Sequence, residues 1–290
     1  MDQPRVSRGK AKGKRGAKNA KDNKGRSDVG GKKRGRGDVN PGERMKKMRK
    51  GATKSTLQDK FKSKLESGQF RWLNEQLYTT TSEEAMTLFK KEPKLYDIYH
   101  RGFEVQVEKW PENPVRVIIK EVKRMPEDWV LGDFGCGNAL IARKAKQKVH
   151  SFDLCKTNEH VTVANSADVP LDDCSLDVAI FCLSLMGTDF RRFLLESRRV
   201  LKDKGLLIVA EVKSRFGTEG VQESDMLGGI DAFKRVLNGL GFNLLKEDTN
   251  NKMFVLFRFE KQPLSKKKER KLAETVSQDD EVVLKSCRYK

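Results

Sequence analysis

Residues that bind metals or form disulfides are scarce in this sequence. Its 290 residues include three histidines and five cysteines. No C-x-x-C pair occurs, and no spacing of His and Cys is typical of a zinc site, so we expect no bound metal. An odd, scattered set of cysteines favours reduced thiols in the cytosol or nucleus.

Long apolar runs are also missing. No run approaches the length of a membrane-spanning helix, and the N-terminus lacks the apolar core of a signal peptide. We therefore expect no contact with a membrane. The G-x-x-x-x-G-K-[ST] loop that cradles phosphates is absent too, which excludes the P-loop class of nucleotide-binding proteins.

Aromatic residues are absent from residues 1–50, which carry 19 Lys/Arg against five Asp/Glu. Such a segment cannot bury enough apolar surface to fold, so we predict a disordered basic tail over residues 1–55. Basic clusters at residues 32–36 and 46–50 favour nucleic-acid contact or nuclear import over a tail that only aids solubility. Residues 261–290 are predicted to form a second basic tail.

The most informative segment is an apolar strand, residues 130–134, that runs into a Gly-x-Gly turn at Gly135 and Gly137. The next apolar run, residues 149–152, leads to Asp153. The carboxyl ends of neighbouring parallel strands meet at one edge of a sheet, where ligands bind. Glycines let the backbone approach a ligand closely, and an acid at the second strand end can accept both ribose hydroxyls. This pattern predicts a site for a nucleoside cofactor.

The turn also indicates which cofactor binds. The dinucleotide fingerprint needs a third glycine for close helix packing at a pyrophosphate, but Leu140 stands at that position. A ligand with a ribose and an adenine but no phosphate fits better, and S-adenosylmethionine (SAM) is such a ligand. We expect a helix over residues 139–146, directly after the turn.

The rest of the chain predicts a helical cap over residues 56–125 and an α/β domain over residues 126–260. The cap helices are expected from residue 56 to 78 with a break at Ser67-Gly68, from Ser82 to Phe89, after Pro93, and from Val115 to Arg124. Further helices are expected over residues 190–201, with a stop at Lys204-Gly205, and 231–240. Strands are expected at 130–134, 149–153, 161–163, 176–183, 206–212, 242–245 and 253–259. Five parallel strands with a terminal antiparallel hairpin are typical of the Rossmann-like, seven-stranded fold of class I SAM-dependent methyltransferases.

Five segments carry a resemblance to a known family: residues 70–78, 99–103, 133–137, 181–188 and 210–216. Through them the chain resembles the ribosomal RNA-processing protein 8 family, or nucleomethylin-like methyltransferases, from about residue 68 to 260. The resemblance implies a nucleolar enzyme of ribosome biogenesis that methylates N1 of an adenine in large-subunit ribosomal RNA. It also implies association with pre-ribosomal particles.

The resemblance further implies a set of cofactor-binding residues, which are His100, Gly135, Asp153, Asn165, Ser166 and Cys182. Gly135 would admit the methionine part of SAM, and Asp153 would accept from the ribose. Asn165, where the family more often has Asp, would accept from the adenine amino group through its amide oxygen. The backbone carbonyl of Cys182 would orient the amino group, whereas a nucleophilic role for its thiol is disfavoured because no partner base is nearby in sequence.

The acceptor side is less well defined by the sequence. Methylases of exocyclic amines commonly carry an Asn/Asp-Pro-Pro-aromatic segment after the fourth strand, but residues 183–187 read Leu-Ser-Leu-Met-Gly. Adenine N1 has a lone pair and needs no base, so catalysis can depend on proximity and alignment. N1 lies on the pairing edge, so the target must be unpaired or flipped out. Residues 184–190 are the predicted acceptor wall, with Asp189 as a candidate orienting group and no catalytic residue assigned.

Two other functions stay open on the sequence, because each needs the same SAM pocket. One is a non-catalytic SAM-binding module of a nucleolar or chromatin complex. The other is a protein methyltransferase that acts on Lys or Arg.

Overall fold

The computed structural model describes residues 56–217, 223–276 and 284–287. The basic tail predicted for residues 1–55 lies outside them. Within the described ranges, no helix combines the length and apolar character that a membrane crossing requires.

A seven-stranded sheet organises the described residues, in the order β3-β2-β1-β4-β5-β7-β6. Its strands are β1 (Val130–Phe134), β2 (Lys148–Asp153), β3 (Val161–Val163), β4 (Leu176–Cys182), β5 (Leu201–Val212), β6 (Phe242–Asp248) and β7 (Phe254–Lys261). The first five strands pair in parallel, and β7 pairs antiparallel with both β5 and β6. The predicted parallel sheet with a terminal hairpin is confirmed, and with it the class I methyltransferase fold.

The strand order places the ligand-binding edge. The chain moves outward from β1 through β2 to β3 and then returns to β4 on the other side of β1. A crevice forms at such a switch point, outside the carboxyl ends of the strands. As predicted, β4 is central, and Val178 to Phe181 are fully buried because both faces of the sheet are covered.

Four helices occupy the segment predicted to be the helical cap: α1 (Leu57–Thr79), α2 (Ser82–Lys91), α3 (Pro93–Val107) and α4 (Pro114–Val122). Helix α4 packs its apolar face on the sheet instead of on the other three helices. Helix α1 runs through Gly68 without the predicted break, since glycine weakens a helix but does not end it. Thr81 is the N-cap of α2, where it forms a capping box with Glu84. The apolar faces of α1, α2 and α3 share one core that includes Phe70, Leu73 and Phe89.

Three further helices follow the strands: α5 (Phe190–Val200), α6 (Glu223–Gly239) and α7 (Lys266–Val276). The helix predicted over residues 139–146 is wrong, because that segment forms successive turns. Ala139 has φ of +50°, a left-handed conformation that cannot begin a right-handed helix. The stop predicted at Lys204-Gly205 is also wrong, since α5 ends at Val200 and β5 begins directly after it, at Leu201.

Part of residues 261–290, which were expected to form a basic tail, packs on the folded unit. Besides helix α7, the short segment 284–287 buries Leu284 and Cys287. The carbonyl of Cys287 accepts a 2.7 Å hydrogen bond from the buried amide of Asn74 in α1. Sequence composition did not reveal this contact, because the anchoring residues are few and lie far apart along the chain.

Candidate cofactor and acceptor site

A cavity of about 440 Å³ opens at the carboxyl edge of the sheet, between the strand ends and the helical cap. That volume lies within the range of small-molecule and cofactor sites. Its lining includes all six residues predicted to bind the cofactor: His100, Gly135, Asp153, Asn165, Ser166 and Cys182. The structure therefore brings together residues that are up to 82 positions apart in the sequence.

The glycine turn after β1 forms one wall of this cavity. Gly135 has φ of +73° and Gly137 has φ of +56°, a region that other residues seldom adopt. The backbone N–H groups of Gly135 and Cys136 both donate to the carbonyl of Phe152, which fixes the turn against β2. A Cβ atom added to Gly135 would lie 2.4 Å from Cβ of Ser184, so the absence of a side chain keeps this wall open.

Gly135→Ala is expected to destabilise the protein and to impair cofactor binding. The backbone strain of about 1 kcal/mol or more adds to the clash with Ser184. Gly68→Ala is a matched control, because nothing lies within 4 Å of its added Cβ in helix α1. That control should be neutral or stabilising by up to about 1 kcal/mol. Thermal unfolding and SAM titration of both variants test this, and equal behaviour of the two would contradict it.

Asp153 lies at the end of β2 and faces the turn. Its Oδ2 accepts a 2.7 Å hydrogen bond from the N–H of Gly137, and its Oδ1 accepts one of 2.7 Å from its neighbour Leu154. An ionised carboxylate has about four acceptor sites, so both oxygens can accept a further hydrogen bond each. The backbone thus fixes the carboxylate in an orientation that leaves two acceptors for a ligand diol.

A second carboxyl group, Asp133, lines the same cavity and was not assigned to the site from the sequence. It is only 3% exposed, and burial, with a smaller contribution from the charge of Asp153, raises its pKa to about 7. The only sequence signal was its position before the glycine turn. Its burial depends on packing that periodicity does not show.

The raised pKa of Asp133 predicts a loss of stability with rising pH. The unfolded chain releases this proton near pH 3.8, but the folded chain keeps it until about pH 7. The free energy of unfolding therefore decreases as the pH rises from about 3.8 to about 7. The full decrease, about 4 kcal/mol, is reached above pH 7. Asp133→Asn should gain stability over the wild type at about pH 8 and show little gain below about pH 4. Denaturant unfolding across that range measures the difference, and a gain independent of pH would contradict the assignment.

His100 joins the cavity from helix α3. Its imidazole packs on the ring of Tyr96 at a centroid distance of 4.2 Å, and it would lie 3.1 Å from a Cβ on Gly137. Burial is the main cause of its lowered pKa, so the ring is neutral near pH 7. A neutral imidazole can both donate and accept a hydrogen bond at the cavity wall.

Asn165 is fixed on both sides of its amide. Its Oδ1 accepts a 2.9 Å hydrogen bond from the N–H of Ala167, and its Nδ2 donates to the hydroxyl of Ser82, also at 2.9 Å. Ser82 in turn donates through its N–H and its hydroxyl to the carboxylate of Asp189. Asp189 is not among the residues that line the cavity. The structure therefore places this candidate orienting group in a link between α2 and the loop after β4.

The loop after β4, residues 183–189, forms the opposite wall. Leu183, Ser184, Met186 and Gly187 line the cavity, so part of the segment predicted to be the acceptor wall, residues 184–190, lies at it. The backbone of Leu185 is held by a buried ion pair: its N–H donates to Glu211, and its carbonyl accepts from Arg215 at 2.8 Å. The sequence did not indicate this pair, because charged residues at the end of a strand and in the following turn are more often exposed to solvent.

Cys182 lies at the end of β4, where the cavity begins. Burial raises the pKa of its thiol well above the usual value, and the charges of Asp133 and Glu211 add to the effect. The thiol is therefore protonated near pH 7, which argues against a nucleophilic cysteine. Within the described residues, no group of three or more potential ligands is placed to hold a metal ion.

The sheet order, the glycine turn and the carboxylate at the end of β2 define a class I SAM-dependent methyltransferase. A family model described as "Hypothetical methyltransferase" matches residues 56–290. The 25S rRNA (adenine(645)-N(1))-methyltransferase of Schizosaccharomyces pombe is 47% identical over 236 residues, covering 76% of this chain and 71% of that protein. Ribosomal RNA-processing protein 8 of Arabidopsis thaliana is 40% identical over 242 residues, covering 81% and 78%. The chain belongs to the ribosomal RNA-processing protein 8 family of methyltransferases.

Proposed function

We propose that this chain transfers the methyl group of SAM to N1 of an adenine in large-subunit ribosomal RNA. The observation that carries the proposal is the single cavity that joins the six expected cofactor residues to the loop after β4. Two features of the cavity suit SAM: the space that a Cβ on Gly135 would fill, and the free acceptor sites of Asp153. The name of the Schizosaccharomyces pombe relative, an rRNA adenine N1-methyltransferase, supports N1 of adenine as the acceptor atom.

SAM supplies an electrophilic methyl group on a sulfonium, and the protein needs to hold the acceptor against it. Adenine N1 attacks through its own lone pair, so no side chain has to remove a proton. Residues 183–187 would position the base, and their own position depends on Glu211 and Arg215 through Leu185. Alignment of this kind can supply a large part of a rate enhancement. Asp189 would contribute by holding Ser82 and the cap, not by touching the adenine.

We further propose that the helical cap (56–125) and the methyltransferase domain (126–260) act together on RNA, with the basic tails 1–55 and 261–290 binding its backbone. The charge of residues 1–50 supports sequence-independent, salt-sensitive contacts with phosphates. Nuclear import by the basic clusters, a nucleolar location and association with pre-ribosomal particles complete the proposal.

Incubation of the full chain with methyl-labelled SAM and unmodified large-subunit ribosomal RNA tests this function. The RNA is digested to nucleosides, and the labelled product is identified by mass and by comparison with N1- and N6-methyladenosine standards. N1-methyladenosine supports the proposal. Labelled N6-methyladenosine would contradict the acceptor atom, and a labelled protein would identify a protein methyltransferase. SAM binding without any labelled product would favour the non-catalytic module.

A further inference from the structure

Ser82 links two walls of the cofactor cavity through its hydroxyl group. The residue is 6% exposed and lines the cavity from the start of helix α2. Its oxygen accepts a hydrogen bond from Nδ2 of Asn165 at 2.9 Å, and its hydroxyl donates to Oδ2 of Asp189. The N–H of Ser82 donates to Oδ1 of the same carboxylate at 2.9 Å. One serine thus connects a residue expected to bind adenine with the loop after β4.

The direction of each hydrogen bond follows from the chemistry of the two groups that form it. The N–H of Ala167 can only donate, and it bonds Oδ1 of Asn165 at 2.9 Å, so Nδ2 is the atom that faces Ser82. A carboxylate can only accept, so the Ser82 hydroxyl donates to Asp189. The amide oxygen of Asn165 keeps a second acceptor site, and an adenine amino group is a donor that such a site can bind.

The negative charge of this set is favoured at Asp189, whose side chain is only 10% exposed. Ser82 is the first residue of α2, so its N–H is one of the free donors at the positive end of that helix. Arg192, in helix α5, lies 3.9 Å from Oδ2 of the carboxylate. Both features stabilise a carboxylate on this side of Ser82, while an amide occupies the other side.

The single hydroxyl hydrogen of Ser82 suits one carboxylate and one amide. Two carboxylates would compete for that hydrogen and repel each other, and two amides would leave it without an acceptor. We propose that Ser82, oriented by Asp189, is a positioning residue for the adenine of SAM. It holds Nδ2 of Asn165 and so leaves the amide oxygen for the adenine amino group. This inference rests on the assignment of the cavity as the SAM site.

An exchange of the amide and the carboxylate tests the match. Asn165→Asp places two carboxylates on one hydroxyl, so the dissociation constant of S-adenosylhomocysteine, measured by calorimetry on the full chain, should rise at least about tenfold. Asp189→Asn in the same chain restores one amide and one carboxylate, with the hydroxyl now donating to residue 165. This double variant should bind within about fivefold of the wild type, since the charge favoured at the start of α2 has moved.

The double variant decides the outcome even where Asn165→Asp does not fold. Binding within about fivefold of the wild type supports the match, and binding no better than that of Asn165→Asp, or none, overturns it. Wild-type affinity of Asn165→Asp would overturn it as well. A wild-type chain that does not bind S-adenosylhomocysteine would instead overturn the cofactor assignment itself.

Ser82→Ala separates the positioning of adenine from a general effect on the fold. It should weaken the binding of S-adenosylhomocysteine about fivefold, and the loss should disappear for the analogue without the adenine amino group, which has nothing to donate to Asn165. Ser175→Ala is the matched control: its hydroxyl bonds the carbonyl of Asp172 outside the cavity lining, so both ligands should bind normally. An equal loss with both ligands in Ser82→Ala would overturn the inference, as would no loss with either.

Discussion

Asp153→Ala is expected to abolish methyl transfer and to weaken SAM binding at least about 100-fold. Hydrogen bonds to a charged acceptor contribute about 1.5–3 kcal/mol each, and the variant would lose two to the ribose. It would also release the N–H groups of Gly137 and Leu154, which the carboxylate orients at the cavity wall. The effect should therefore appear in both the dissociation constant of SAM and the rate of transfer.

Two further variants make the result specific to the carboxylate. Asp153→Asn keeps one acceptor oxygen and should bind SAM with intermediate affinity. Asp173→Ala removes an exposed carboxylate that pairs with Arg199 at 2.7 Å, away from the cavity, and should bind SAM like the wild type. Calorimetric titration of the three variants measures this order. Unchanged affinity in Asp153→Ala would remove the proposed ribose site.

Arg215→Ala should lower the free energy of unfolding by about 3–5 kcal/mol, because it leaves the carboxylate of Glu211 buried without a counter-charge. Each side chain of this pair is 1% exposed, and the charged atoms lie 2.8 Å apart. Arg215 also packs on the ring of Tyr78 and donates to the carbonyls of Leu185 and Lys285. Its loss would therefore loosen α1, the loop after β4 and the C-terminal segment 284–287 together.

A comparison with an exposed ion pair isolates the effect of burial. Lys146→Ala removes a salt bridge to Glu127 in which both side chains are about two-thirds exposed. It should cost less than about 1 kcal/mol. Replacing both members of the buried pair, as Glu211→Gln with Arg215→Met, should recover much of the stability lost in Arg215→Ala. Denaturant unfolding measures all three variants. Equal losses in the free energy of unfolding for Arg215→Ala and Lys146→Ala would contradict this account.

The sheet and its cofactor edge were predictable from the sequence because their signals are local. The apolar runs of β1, β2 and β4 are separated by turns, and an acid or a glycine follows the first two of them directly. Parallel pairing then brings the strand ends together, whatever the details of packing. The resemblance to the family implied His100, Asn165, Ser166 and Cys182 as further candidates, which no periodicity would have indicated.

What the sequence did not reveal depends on contacts between distant residues. The turns at residues 139–146 have a helical composition, but the left-handed backbone at Ala139 follows from the packed glycine turn before it. Asp189 is the last residue of the loop after β4, yet its carboxylate accepts hydrogen bonds from Ser82, 107 residues earlier. The burial of Asp133 and Tyr96 likewise depends on the helical cap that closes over the sheet edge. These features depend on contacts between the N-terminal helices and the sheet, which no local sequence pattern encodes.

The most direct test of the central claim is nucleoside analysis of large-subunit ribosomal RNA from cells whose only copy of this chain carries Asp153→Ala. The comparison is with cells that carry the wild type or the Asp173→Ala control at equal protein abundance. We predict that N1-methyladenosine is lost from the RNA in the Asp153→Ala cells alone, with unmethylated adenosine in its place. N1-methyladenosine at the wild-type level in those cells would contradict the claim that this cavity binds SAM and methylates adenine N1.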